Sequence, residues 1–295
     1  MAAHDLSMPL DIRMNNIDHS FQSIHDAVQA LLLDVTGFIN STGRKYLVIG
    51  GWSPYLLNTT AHAHPGTKDV DILFSDGNVR ETLKEVIRGL LSRGYKVSAK
   101  HDFQLLRAID IQGHQLVFNV DLLHPSESVN NPEMMVDHFD LGIKDSDFSD
   151  GKKIKSIVLP SSELLFLDGF SEPYTLTANN LQGAEASVCF PLLGHAGLIL
   201  SKAESVSAPK RPRDSFDIFL ATKSGTAHQT IELLKKYKHL AGVQALLTSL
   251  ESFAKRPSST PDQSFNQFDL NVYRFLKMQE ESSPSAAVLA LLADV

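Results

Sequence analysis

The segment Tyr46–Phe74, YLVIGGWSPYLLNTTAHAHPGTKDVDILF, decides how the chain is read. Its opening, with Lys45, is short, apolar and β-branched and ends in Gly50-Gly51, the pattern of a buried strand. Ser53-Pro54 reads as a helix start, with Ser53 at the N-cap and Pro54 in the first turn. After a loop, DVDILF is a second strand. Side chains alternate along a strand, so Asp69 and Asp71 share one face, roughly 7 Å apart at Cα, while Val70, Ile72 and Phe74 take the other. Two carboxylates on one face repel unless positive charge sits between them. A divalent cation supplies it, and oxygen-only ligands favour Mg2+ or Mn2+ over zinc.

The glycines suit a phosphate. Gly50-Gly51 lets backbone approach closely, and a helix beginning beside it aims free N–H groups at the same point. Ser53 is then expected to bond a phosphate oxygen instead of capping the helix. Further on, LVFNVDLLHP sets Asp121 in an apolar strand, where an unpaired charge is costly. Arg107 or His124 is one partner for it. The other reading puts this strand beside DVDILF, where Asp121 completes a three-carboxylate cluster for two metals. Two such ions, roughly 3.5–4 Å apart, activate an attacking oxygen and clamp a leaving phosphate.

Working outward, residues 1–17 lack periodicity and read as an arm. Phe21, Ile24, Val28, Leu31, Leu32, Val35, Phe38 and Ile39 recur at helical spacing, with Asp18 as the expected N-cap and Gly43 as the stop. Val79, Leu83, Val86, Ile87, Leu90 and Leu91 mark a second amphipathic helix, ending at Arg93-Gly94. FQLLRAI and QLVFNVDLL are strands around a turn at Gln112-Gly113-His114. Residues 125–155 are polar and acidic and read as a loop or irregular insertion. KIKSIVLP is a strand, and SSELLFLDGF is ambiguous. Helices dominate after Pro191: GHAGLILSKAESV, RDSFDIFLATKS, a long or broken stretch over 227–254, and two short ones near 268–280 and 284–293. The expectation is α+β, with a mixed-sheet domain over 1–188 and a mainly helical domain over 189–295.

The 295 residues carry a net charge of −7, so any contact with nucleic acid must be a local patch. With 43% hydrophobic and 21% charged residues, an ordinary globular core is expected. Cys189 is the one cysteine, which excludes a disulfide framework and a cysteine-based zinc site. With no signal peptide or membrane span in view, the expected location is the cytoplasm.

GGWS followed by DVD and a later strand Asp resembles the nucleotidyltransferase superfamily with the DNA polymerase β-like fold. The resemblance implies that Gly50, Gly51 and Ser53 form the phosphate turn, Asp69 and Asp71 the metal pair, and Asp121 the third acid. LILSKAESVSAPKRPRDSFDIFLA resembles the Lys…Arg…AspxxAsp helix pair of abortive-infection, AbiEii-type nucleotidyltransferase toxins. Lys202 and Asp214 would then be catalytic, and Arg211, Arg213 and Asp217 would attend the nucleotide. The family's RxTxDxD run has no arginine here. His64-Pro65-Gly66-Thr67-Lys68 stands in its place, and Lys68 is the cation left to compensate. The likeness spans about residues 45–125 and 195–222. It implies transfer of a nucleoside monophosphate from an NTP, with Mg2+ or Mn2+, by a toxin acting on tRNA or protein and paired with an antitoxin. An aminoglycoside-type transferase and a non-catalytic nucleotide-binding module are the alternatives.

Other features have plainer readings. Asp145-Ser146-Asp147 repeats the DxD spacing in a polar segment and reads as a solvated loop. His62 and His64 are spaced like metal ligands but have no partner cluster, so they read as loop histidines. Trp52 reads as packing before base stacking, and the tract Lys210, Arg211, Arg213 as a solvated loop before a phosphate-backbone contact.

Overall fold

A computed structural model describes residues 19–75, 79–98, 104–125, 136–139, 154–159, 161–258, 265–276 and 283–295. The fold is α+β, built on one mixed sheet. Helix α1, Ile24–Thr42, is capped by Ser23, whose hydroxyl accepts the Asp26 amide proton at 3.1 Å. The helix therefore begins later than the expected cap at Asp18, which lies outside the described residues. The reason is Phe21: it bridges to Ile111, which holds the chain extended until Ser23. Gly43 closes the helix in the left-handed region, as expected.

The sheet elements follow in order: β1 Tyr46–Ile49, the short helix α2 Trp52–Leu56, β2 Asp69–Phe74, α3 Val79–Ser92, and β3 Lys96–Val97. Then come β4 Gln104–Ile111, β5 His114–His124, β6 Val136–Phe139, β7 Ile154–Val158, a 3-10 turn at Ser162–Phe166, β8 Ser171–Asn179 and β9 Glu185–Leu193. The spatial order is β3-β4-β5-β2-β1-β9-β8, with β7 beside β5 and β6 beside β7. β2 runs antiparallel to β1 and parallel to β5, the neighbour relation that the third carboxylate requires.

Four strands depart from the expectation. β3 has only two residues, and β6 lies inside the acidic stretch read as irregular. β8 and β9 form a hairpin with one face, including Leu176, Ala178, Val188, Phe190 and Leu192, packed on the core and the other carrying Thr175, Thr177 and Ser187, so no continuous apolar run marks it. The boundary expected after residue 188 falls inside β9, which pairs with β1 in the central sheet. Asp145 and Asp147 lie outside the described residues.

Two apolar cores flank the sheet. On one face, Leu31, Val35 and Ile39 of α1 and Leu83, Val86 and Leu90 of α3 cover Val48, Val70, Ile72 and Val120. On the other, Leu47, Ile49, Leu73 and Leu123 meet the helices that follow β9. These are α4 His195–Ser205, α5 Pro212–Lys223, α6 Ala227–Tyr237, α7 Ala241–Ala254, α8 Gln267–Tyr273 and α9 Pro284–Asp294. Each fully buried Leu, Ile or Phe contributes roughly 1.5–3 kcal/mol. By the two-residue period, Asp69, Asp71 and Asp121 share the face of Ile49, Leu73 and Leu123. The carboxylates thus extend an apolar stripe at the end where β1 leaves the sheet, under α4 and α5. Among the described residues, no helix is long and apolar enough to cross a membrane.

Candidate active site

Strand register places the acids. Asp71 lies opposite Ile49 on β1 and opposite Asp121 on β5, and Asp121 lies opposite Gln104 on β4. Gly50, at φ 70°, then turns the chain directly over Asp71: a Cβ on it would stand 1.9 Å from Asp71 Oδ2. A Cβ on Gly51 would stand 2.8 Å from Thr67 Oγ1 and 2.9 Å from Arg213 Nη2. Only glycine lets carboxylate, turn and guanidinium close up this far.

A cleft of about 440 Å³ opens here. The glycine turn, Thr67 and the three carboxylates form one side; Lys202, Lys210, Arg211, Arg213 and Asp214 form the other. The tract read as a solvated loop thus lines the cleft. Arg211 is the N-cap of α5 and Pro212 its first residue, so the helix start fixes where the flanking cations stand.

The electrostatics are uneven. Burial, then the charge of Asp69, pushes Asp71 up to about 6. Burial, then Asp71 and Asp69, pushes Asp121 up to about 7. Burial also raises Asp69, though Arg213 and Lys68 pull against it. Asp121 Oδ2 accepts a long hydrogen bond from Gln104 Nε2 at 3.4 Å, while its buried Oδ1 has no hydrogen-bond partner among the described residues. Of the alternative partners expected for it, Arg107 donates from its guanidinium to the Arg93 carbonyl.

Across the cleft, Lys202 is buried. Its Nζ donates to Asp214 Oδ1 at 2.7 Å and ion-pairs with Asp217 Oδ2 at 3.2 Å. Burial alone would drive its proton off, but Asp217 and Asp214 outweigh it and raise the Lys202 pKa. Burial would likewise raise Asp217, but Lys202 and His64 hold it below the usual carboxylate range. Ser205 Oγ donates to Asp214 Oδ2 at 2.6 Å. Asp214 therefore sits at the cleft wall as a counter-ion, and Asp217 lies wholly behind it.

Two sequence expectations move. Ser53 is inside α2, not at its cap, which is Gly51. The helix starts earlier because the Trp52 indole is buried and donates to the Asp69 carbonyl at 2.9 Å. The Ser53 hydroxyl is buried away from the cleft. Lys68 is exposed and off the cleft wall, reaching Asp69 only through its charge. His64 is the residue that sequence reasoning passed over. It is buried against Asp217, and the missing arginine of the RxTxDxD run was the signal for it.

The chain is similar, at low identity, to solved structures. It is similar to an antigenic nucleotidyltransferase-like protein from Paracoccidioides brasiliensis, at 15% identity over 79% of this chain and 90% of that one, with a TM-score of 0.37. It is also similar to the antibiotic-resistance factor ANT(2'')-Ia, at 14% identity over 77% and 93% of the two chains, with a TM-score of 0.33. No protein-family model and no curated protein matches the sequence.

The donor chemistry suits a hard divalent cation: carboxylate oxygens only, one of them buried without a partner, and two acids whose ionisation is opposed by burial and by each other. Among the described residues, no three acidic, histidine or cysteine side chains already converge on a single point. The strands bring the three acids to one face; rotation about their side-chain bonds would be needed to close them on an ion.

Proposed function

We propose that the protein is a nucleotidyltransferase that moves a nucleoside monophosphate from an NTP to an acceptor hydroxyl and releases pyrophosphate. The observation that carries this is the contact of the Gly50 turn with Asp71, with Asp121 on the neighbouring strand. Asp69, Asp71 and Asp121 would hold Mg2+ or Mn2+, which supplies charge neutralisation at the reacting phosphate. Gly50 and Gly51 admit the triphosphate close to the backbone. Lys210, Arg211 and Arg213 face its oxygens, and the buried Lys202 steadies the charge that develops on the leaving pyrophosphate. Asp121, on the strand beside Asp71, is placed to take the proton of the attacking hydroxyl.

The acceptor is proposed to be tRNA or a protein, with the chain acting in the cytoplasm as the toxin of a toxin–antitoxin pair. Support for this finer reading is the likeness of the Lys202–Asp217 segment to AbiEii-type toxins. Incubation with labelled NTPs, Mg2+, total RNA and, in a parallel reaction, an aminoglycoside tests both levels. Label on RNA, lost in Asp71→Asn, supports the tRNA-directed reading. Label on an aminoglycoside substitutes the antibiotic-modifying one, and no transfer to any acceptor leaves a binding module. Growth arrest on expression that persists in Asp71→Ala would contradict a catalytic toxin.

A further inference from the structure

His64 is buried and bonded on both ring nitrogens, yet the proposed reaction does not use it. Its Nδ1 accepts the Gly66 amide proton at 3.0 Å, so the ring hydrogen is on Nε2 and donates to Asp217 Oδ1 at 3.2 Å. Asp217 turns Oδ2 toward Lys202 Nζ at 3.2 Å and Arg213 Nε at 3.9 Å. Arg213 Nη1 donates to the Gly66 carbonyl at 3.3 Å, which closes the circuit. The contacts run in a ring: His64, Asp217, Arg213, Gly66 and back to His64. Lys202 hangs from the ring at Asp217, and Gly51 lies under the Arg213 guanidinium.

We propose that His64 is a positioning residue for nucleotide binding: it fixes Asp217, and through it aims Arg213 and Lys202 at the phosphates. This rests on reading the cleft as a nucleoside triphosphate site. A carboxylate rotates freely unless one oxygen is held, and His64 holds Oδ1. With Oδ1 held, Oδ2 is presented to both cations at once. The same imidazole pins the Gly66 amide, and so keeps the Gly66 carbonyl where Arg213 needs it. A cation in this loop would compete with Arg213 and Lys202 for Asp217; a histidine that accepts from backbone on one side and donates to Asp217 on the other organises them instead. His64 touches no substrate, so its effect falls on nucleotide affinity more than on turnover at saturation.

The test uses the full chain, with binding of each of the four ribonucleoside triphosphates in Mg2+ measured by isothermal titration calorimetry. Loss of a hydrogen bond to a charged group predicts that His64→Leu weakens binding about tenfold. Asp217→Asn is expected to do the same, and because both act through one ring, the double variant loses about tenfold and not a hundredfold. His64→Gln, which keeps an N–H donor for Asp217, recovers most of the affinity. Exchange of the Gly66 amide quickens in His64→Leu. Binding within twofold of wild type, or additive losses in the double variant, overturns the proposal. If His64→Leu fails to fold, His64→Gln is compared with His64→Asn, whose amide is too short to reach Asp217; equal affinities overturn it. If the wild type binds no triphosphate, the functional reading fails on its own. Gly66 exchange then decides for His64, and unchanged protection in the variants overturns the ring.

Discussion

Substituting Gly50 by alanine tests the packing of the turn on Asp71, and Gly43 supplies its control. Both glycines sit at nearly the same backbone angle, φ 70° and 68°. A Cβ on Gly43 meets nothing within 4 Å, whereas one on Gly50 meets Asp71 Oδ2 at 1.9 Å, Cγ at 2.8 Å and Cβ at 3.1 Å. Gly43→Ala therefore carries only the left-handed backbone cost, about 1–2 kcal/mol. Gly50→Ala adds an overpacking term of about 1–3 kcal/mol, because pairing with Ile49 and Asp121 keeps the Asp71 backbone from backing away. The carboxylate must then rotate off the turn. Urea unfolding of the two variants measures the difference, and Mg2+-NTP titration measures the site. The expected result is that Gly50→Ala is less stable than Gly43→Ala by about 1–3 kcal/mol and loses nucleotide binding, while Gly43→Ala binds as wild type. Equal destabilisation with binding intact in both would refute the close approach of turn and carboxylate.

Other outcomes follow from the same site. Asp71 and Asp121 titrate higher in the fold, at about 6 and 7, than an ordinary aspartate at 3.8, so the folded chain holds their protons more tightly. Their stabilising share is complete at low pH and is lost as pH rises through those values; metal-free protein should lose roughly 2–4 kcal/mol between about pH 5 and pH 8. Denaturant melts across that range, with and without Mg2+, check this, and a flat profile without metal would count against it. Asp121→Asn is expected to stabilise the metal-free protein at pH 8 while abolishing transfer. Lys202→Met strands Asp214 and Asp217 as buried charges and should cost about 3–5 kcal/mol, measured by thermal and urea unfolding. Trp52→Phe removes the bond to the Asp69 carbonyl and should cost about 0.5–1.5 kcal/mol while leaving Asp69 in place.

Local chemistry made the carboxylate strands legible. Val70, Ile72 and Phe74 announce one buried face, which puts Asp69 and Asp71 on the other, and Asp121 among apolar neighbours marks a strand inside the sheet. The helices after β9 were legible too, because their apolar residues recur at helical spacing. What was hidden depends on partners distant in sequence. The start of α1 is set by Phe21 bridging to Ile111, and the start of α2 by the Trp52 indole reaching Asp69. β8 and β9 lack a dense apolar run because only one face of the hairpin packs on the core. His64 looked like a loop histidine since its partner, Asp217, lies 153 positions along the chain. Asp214 and Asp217 stand out in the sequence only through the resemblance of their helix pair; their pairing with Lys202, Asp214 at the cleft wall and Asp217 behind it, follows from the burial of Lys202 between them.

The proposed activity requires the three strand acids to gather metal beside the glycine turn. Crystals grown with Mn2+ and a non-hydrolysable NTP analogue, with data collected at the manganese absorption edge, measure this directly. The predicted result is anomalous density between Asp71 and Asp121, with the triphosphate along Gly50-Gly51. Manganese bound elsewhere, or a triphosphate seated away from the turn, would contradict it.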